Sequence, residues 1–533
     1  MQLNDHDLKQ LDDTYLGGLP IESLRGLSSK LLADLKESRE RLNQNPSNSS
    51  RPPSSQAPWE NTGEISQESA EDAEDVPQEA RSERSGGGKK DAEAEAQKGH
   101  EEGKSKQETA DRGQKTQGRP RRAEGAPGYS RTQKLPVDQE CVHRPETCSA
   151  CGERLDAGWE QQAYTARYEI ELVQPGNGDT GLVLEQTKHI YLECRCPCGH
   201  CTRAQPARAS AEAGWSVALT EWHLAGPLLV SFICALALRQ RLSRARIREF
   251  LRDWLGLQLS VATINQCIHE AGRAVEPVVE KEIRKALHEV EVLYADETSW
   301  KQHGELLWLW VFTCASVTFF IVGKRSRGLL QSVLGESFEN WLMSDGYGVY
   351  RDYLWRLRCL AHITRKARGL EQSLNRETSL FGTHVLNVLA TVMDAVYRAR
   401  GSPPGVPLRE THARMLAELF VACRENADSK HEKAKALARE MLNDWDTFWV
   451  VLDHPELPLT NNAAERALRH WVIARRISHG TRTAEGTHAF CLLASVIETC
   501  RQHRVSPWPY LAEVVRQRRK DLPAPALPIP ALG

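Results

Sequence analysis

The stretch Glu289-Val-Glu-Val-Leu-Tyr-Ala-Asp296-Glu297-Thr298 decides the fold when read with Leu306-Leu-Trp-Leu-Trp-Val-Phe-Thr-Cys314 and Val317-Thr-Phe-Phe-Ile-Val322. Each run is rich in β-branched and aromatic residues and too short for a helix, so three hairpin-like strands are expected at 289–294, 306–314 and 317–322. Residues 327–334 suit a helix, 341–343 a short fourth strand and 358–362 a fifth. Asp296 follows the first run, and Asp345, in Met343-Ser-Asp345-Gly-Tyr, follows the fourth.

Three hairpin-like strands followed by alternating helix and strand is the order of an RNase H-like α/β domain, placed at 286–480. Residues 366–455 return to a helical pattern and read as an insertion within it. After the insertion comes Asn461-Asn462-Ala-Ala-Glu465-Arg466-Ala-Leu-Arg469, a helix with one acid among many arginines. Asp296, Asp345 and Glu465 offer three hard carboxylates, the donors that Mg²⁺ or Mn²⁺ takes. Two such ions can clamp the attacking and leaving oxygens of an in-line phosphoryl displacement. Arg466, Arg469, Arg475 and Arg476 suggest that the phosphate belongs to DNA. His362 precedes a second basic cluster with Arg365 and Lys366, also read as DNA-facing.

Each acid has a plainer reading. Glu297 adjoins Asp296, but strand neighbours point to opposite faces, and Asp296 is taken as the site residue. Asp345 can be an ordinary turn residue before Gly346. Glu465 has the N3 spacing of a capping box from Asn462, and it can also pair with Arg469 one turn on.

Outward from this domain the organisation is modular. The chain has 533 residues, a net charge of −2 and 14 cysteines, seven of them from Cys141 to Cys201. That clustering argues for a metal site in a reducing compartment, not a disulfide framework. Cys148-x2-Cys151-Gly and Cys198-x2-Cys201 supply four thiolates for one structural Zn²⁺ in a domain at 136–210. The second knuckle is crowded, and Cys196 with Cys198 is an alternative pair. Residues 1–45 hold a weak heptad pattern (Ile21, Leu24, Leu31, Leu35, Leu42), read as a short coiled coil or a single amphipathic helix. The Ser-, Pro-, Gly- and Glu-rich tract 46–135 cannot bury a core and reads as a disordered linker. Residues 211–285 are helical, with Leu242 to Leu251, a turn at Gly256 and a helix capped near Ser260 resembling a helix-turn-helix. A C-terminal helical region and tail fill 481–533. With no signal peptide and no apolar run of about 20 residues, no membrane association is expected.

These motifs together resemble the DDE transposases of the insertion-sequence-66 group, also called TnpC-type. The resemblance rests on Leu42-Asn-Gln-Asn-Pro-Ser-Asn-Ser-Ser, Cys148-Ser-Ala-Cys151-Gly, Ala295-Asp296-Glu-Thr, Asp345-Gly-Tyr, Cys359-Leu-Ala-His362, Asn461-Asn-Ala-Ala-Glu465-Arg and Ser495-Val-Ile-Glu-Thr499, all in family order. It implies an RNase H-like catalytic domain with Asp296, Asp345 and Glu465 as the triad. It also implies cleavage at insertion-sequence ends and transfer of the 3′-hydroxyls into target DNA. Terminal inverted repeats and target DNA would be the partners, with a homo-oligomer assembled on them in the bacterial cytoplasm and helper proteins from the same element. A non-catalytic DNA-binding regulator and an RNase H-like nuclease or resolvase are the competing readings. The stretch Arg475-Arg476-Ile-Ser departs from the family's usual Lys-Asn pair.

Overall fold

The computed structural model describes residues 19–42, 136–173, 181–204 and 224–528. The 46–135 tract therefore lies outside the described residues, as do Asn43 to Asn45 of the segment that begins at Leu42. Helix α1 (Ile21–Leu42) covers the heptad pattern. Ile21, Leu31 and Leu35 are exposed on it.

The cysteine-rich domain is a four-stranded sheet. Strands β1 (Gln139–His143), β2 (Gln161–Val173), β3 (Val183–Arg195) and β4 (Cys201–Arg203) assemble in the order β1-β3-β2, with β4 also on β3. β1 runs parallel to β3, while β2 and β4 run antiparallel to it.

The helical region that follows begins with α2 (Pro227–Cys234), which continues as a π-helical segment to Arg239. Helix α3 (Arg244–Leu255) ends at Gly256, whose left-handed φ of 62° closes it. Ser260 then caps α4 (Val261–Val278) by accepting from Thr263 N–H. Two helices joined by a short glycine turn match the sequence expectation. A side chain at Gly272 would strike Ala489 at 2.8 Å, so this glycine sets how closely α4 meets a later helix.

The main sheet has five strands: β5 (Val292–Gln302), β6 (Glu305–Thr313), β7 (Thr318–Gly323), β8 (Trp341–Ser344) and β9 (Arg356–Arg358). Their spatial order is β7-β6-β5-β8-β9. The first three form an antiparallel meander, and β8 and β9 join in parallel beyond β5. Helix α5 (Arg327–Leu334) makes the crossover from β7 to β8. Alternation along the strands divides the faces: Leu293, Ala295 and Leu342 enter one core, while Met343 and Leu357 enter another. β5 runs on past the apolar stretch because residues 296–302 pair with β6 as far as Gln302 opposite Glu305, so Asp296 lies within the strand and not at its end.

The 358–362 segment is not a strand beyond Arg358. Helix α6 (Leu360–Glu371) starts there, which puts His362 in its first turn. α7 (Arg376–Gly401), α8 (Ala413–Asn426), α9 (Glu432–Asn443) and α10 (Trp445–Asp453) complete the insertion around the second core. α7 is long and apolar enough to cross a membrane. Its Phe381, Val385, Leu389 and Val392 nevertheless pack into that core. Helices α11 (Asn462–Ser478), α12 (Ala484–Gln502) and α13 (Pro507–Arg519) return to the first core.

α12 lies on the outer strand of the sheet. Phe320 N–H donates to Ser495 Oγ at 2.9 Å, and Thr318 N–H donates to Thr499 Oγ1 at 3.0 Å. The i,i+4 hydroxyls of the Ser495-to-Thr499 motif therefore saturate backbone groups that an edge strand would leave open.

Candidate active site

The sheet register brings the first two acids together. β5 and β8 pair in parallel with Tyr294 opposite Met343, and the same offset carried past the strand end sets Asp345 level with Asp296. Asp345 occupies the turn after β8, where its Oδ1 accepts from Tyr347 N–H at 2.9 Å. Burial raises the Asp296 carboxyl well above its usual range, and the negative charges of Asp345, Glu297 and Glu465 raise it further. Asp345 and Glu465 are thus both close enough for their charge to act on Asp296.

Glu297 points to other partners, as strand alternation requires. Its side chain is 1% exposed and receives Arg325 Nη2 at 2.6 Å and the Tyr350 hydroxyl at 2.7 Å. Arg325 in turn stacks on Tyr347.

Asn461 fixes the third acid. Its Nδ2 donates to Ala295 O at 2.8 Å, one residue before Asp296, and its backbone N–H reaches Cys359 Sγ at 3.2 Å. This buried bridge ties the start of α11 to β5 and to the start of α6. Glu465 follows in the first turn, but it does not cap its helix: the N-cap is Asn461, with no side-chain cap bond. Its Oε1 instead lies 2.8 Å from Arg365 Nη2 and 3.5 Å from His362 Nε2. Burial lowers the His362 pKa to about 3, with Arg365, Lys366 and Arg358 adding to the effect, so this imidazole is neutral. Carboxylates are the donors that Mg²⁺ or Mn²⁺ takes, whereas the metal-binding atoms that lie within 4.8 Å of Glu465 among the described residues are those of Cys359 and His362.

The basic residues divide into two groups. Arg466, Arg469 and Arg476 are exposed on α11, and their spacing places them along one helix face. Arg475 is turned inward, donating to Thr298 Oγ1 and Ser299 Oγ at 2.8 Å and to Ser299 O. Arg365 and Lys366 sit on acids, Glu465 and Glu440 respectively.

Several residues around the site escaped the sequence reading. Asp444 is fully buried and receives Arg351, Arg356 and Arg358, the last at 2.6 Å. Arg358 also reaches Glu440 at 2.6 Å, which Lys366 shares. This network fastens α9 and the start of α10 to β9 and α6. A Cβ on Gly346, next to Asp345, would collide with Glu440 and Arg358, so the turn bearing the second acid rests directly on the network. No local pattern announces such contacts, which join residues 74 or more positions apart. The Asn461-Asn462 pair preceding Glu465 was the available signal for the bridge.

The cysteine cluster corrects one expected ligand set. Cys148, Cys151, Cys196 and Cys198 gather their sulfurs within 4.8 Å, and Cys201 is not among them. Cys201 is already committed to β4, paired with Arg195. The second knuckle is Cys196-Pro-Cys198-Gly199, closed by Gly199 N–H on Cys196 O at 2.8 Å, just as Gly152 N–H closes on Cys148 O at 2.9 Å. Cys148 and Cys198 sulfurs are 3.7 Å apart, and those of Cys151 and Cys196 are 3.6 Å apart. Four thiolates at about 2.3 Å from a tetrahedral Zn²⁺ are about 3.8 Å from one another, so the spacing fits that ion. Hydrogen bonds from the Cys151 and Ala150 backbone hold the Cys148 thiol down at about 6, favouring the thiolate.

A family model described as "Transposase IS66 family" matches residues 223–489, a span that takes in α2 through α11, the whole five-stranded sheet and all three acids. The chain belongs to the IS66 transposase family. It is also similar to three uncharacterized proteins of Sinorhizobium fredii. Protein y4jO is 30% identical over 114 residues, covering 21% of this chain and 33% of that protein. Protein y4hP is 37% identical over 75 residues, 14% of each chain. Protein y4jD is 24% identical over 199 residues, 34% of this chain and 38% of the relative. The chain thus spans between 14% and 38% of the length of these relatives.

Proposed function

We propose that the chain is a metal-dependent transposase that cuts DNA at insertion-sequence ends and joins the freed 3′-hydroxyls to target DNA. What supports this reading is the register that sets Asp345 level with Asp296, together with the charge that Glu465 exerts on Asp296 from α11, the helix with the exposed arginine face. The antiparallel meander extended by two parallel strands supports an RNase H-like assignment for the domain. Asp296, Asp345 and Glu465 would hold two Mg²⁺ or Mn²⁺ ions, which supply Lewis-acid stabilisation to the attacking and leaving oxygens of phosphoryl transfer.

The chain's own residues then have distinct tasks. Asn461 positions α11 so that Glu465 faces the strand acids. Arg365 orients the Glu465 carboxylate, and neutral His362 beside it adds no competing positive charge. Arg466, Arg469 and Arg476 take the DNA backbone. The exposed first turns of α4, with Val261, Ala262, Asn265 and Gln266 open to solvent, suit a helix that reads a groove. The knuckle domain would carry one structural Zn²⁺, and α1 would contribute to a homo-oligomer on DNA.

The test is strand cleavage and joining of end DNA in Mg²⁺ or Mn²⁺ by Asp296→Asn, Asp345→Asn and Glu465→Gln proteins. Each should keep its melting temperature within a few degrees and bind end DNA, while both reactions fall by several orders of magnitude. Near-normal cleavage by any of the three removes that residue from the set. Cleavage without joining by the unmodified protein would favour the nuclease or resolvase reading.

A further inference from the structure

A second group of metal-binding atoms lies in the knuckle domain, apart from the four clustered cysteines. Cys141 and His143 are two residues apart on β1 and so share a face. The parallel register sets Cys141 opposite His189 of β3, which brings a third donor beside them. One atom from each of these residues lies within 4.8 Å of the others. His143 Nε2 is 3.0 Å from His189 Nδ1. Ligand nitrogens at about 2.0 Å from a tetrahedral ion are about 3.3 Å apart, so a small opening of this contact turns it into a ligand pair.

The surroundings hold the rings in that pose. His189 Nε2 faces Glu169 Oε2 at 3.3 Å. A carboxylate on the far nitrogen is the support that metal-bound imidazoles use to fix tautomer and orientation. The His143 ring stacks on Tyr191 with centroids 4.5 Å apart and planes at 11°, and Tyr191 is itself buried. Arg167 lies over the other ring contact, 5.9 Å from the Tyr191 centroid, and its positive charge opposes a bound cation. A Cys141 thiolate formed on metal binding would offset it together with the Glu169 carboxylate, whose Oε1 also lies 3.8 Å from Arg519 Nη1.

We propose that Cys141, His143 and His189 form a second metal site, for a borderline-soft divalent ion such as Zn²⁺, with Glu169 as the positioning residue for His189. One thiolate and two imidazoles select Zn²⁺ over Mg²⁺. Cys141 is exposed, which leaves the fourth coordination position to solvent. The ion would clamp β1, a five-residue strand, to the long β3. The competing account is a plain hydrogen-bonded histidine pair whose chain of contacts ends on Glu169.

Metal stoichiometry in the full-length chain separates the two. Titration of metal-free protein with Co²⁺, followed by absorption, should saturate at two ions. One should show the intense thiolate bands of a four-cysteine site, and the other weaker bands from a single thiolate. Cys141→Ser or His189→Gln should each lose one equivalent and the weaker bands while the four-cysteine spectrum persists. Cys148→Ser should do the reverse. Glu169→Gln should keep both ions but weaken the second by about tenfold or more. A wild-type chain that saturates at the four-cysteine spectrum alone, unchanged in the Cys141→Ser protein, overturns the second site, whatever the folding of the other variants.

Discussion

Arg475 and Arg476 are neighbours in sequence and opposites in role. Arg475 donates to Thr298 and Ser299 on the strand that carries Asp296, whereas Arg476 is exposed. Arg475→Ala should therefore lower the melting temperature, because it strips half-buried β5 oxygens of their donor, a loss of about 0.5–1.5 kcal/mol. Arg476→Ala should leave the melt unchanged while weakening DNA binding and reducing the slope of log affinity against log salt by about one. Binding isotherms at several salt concentrations beside thermal melts distinguish the pair; equal effects on both readouts would contradict the assignment. The sequence marked both residues as basic, yet only the fold could say which one turns inward. Glu465 is a similar case. The spacing from Asn462 admitted a capping box, and the structure gives the helix start to Asn461 and the Glu465 carboxylate to Arg365.

At the scale of elements, what is legible follows the range of the interaction. β6, β7 and the helix after them are written in local runs and appear within a residue or so of where those runs predict, whereas β5 extends eight residues past its expected end. The boundary at Arg358 is not written locally: Cys359, at the start of α6, accepts at its thiol from the backbone N–H of Asn461, about a hundred residues later. Asp444 shows the same dependence on distance. Asp444→Ala leaves Arg351, Arg356 and Arg358 without their shared anion, and breaking a buried pair of this kind costs about 3–5 kcal/mol. Urea unfolding should show that loss, with the insertion helices melting first; an unchanged midpoint would mean that the network is solvated in solution. In the knuckle domain Cys196→Ser should abolish high-affinity zinc at the four-cysteine site, whereas Cys201→Ser should retain it, as read by competition with a chromogenic chelator. The reverse result would restore the knuckle that the sequence spacing favoured. A run of Cys-Pro-Cys-Gly-His-Cys offers several pairings, and strand β4 decides among them by claiming Cys201.

For the whole molecule, the helical region and the main sheet are joined at His470. Its Nε2 donates to Leu238 O at 2.9 Å, and its Nδ1 accepts from Arg241 at 2.8 Å and Arg239 at 3.1 Å. Burial lowers the His470 pKa to about 4, and the two arginines also lower it. The unfolded chain takes up a proton at this residue below its ordinary value of 6.5, and the folded chain does so only near 4. Stability should thus fall as pH drops from about 6.5 to about 4, since the unfolded state binds more protons in that window. His470→Gln, which keeps a donor and an acceptor, should make the melting temperature less dependent on pH across it. An identical slope in both proteins would show that His470 titrates freely.

The hydroxyls of Ser495 and Thr499 that close the outer strand come late in the chain. Ser495 follows Phe320 by 175 residues. At a synthesis rate of about 5–20 residues per second, the ribosome delivers β7 roughly 10 to 35 s before the helix that seals it. Through that interval the outer edge of β7, paired with β6 on its other side, lacks its cover, and an apolar open edge is a template for association between chains. The folded protein has the Thr318 and Phe320 amides of this edge taken up by α12. Its yield in a cell therefore depends on what shields a half-made sheet, and Ser495→Ala or Thr499→Val would extend that vulnerability from the nascent chain to the mature protein.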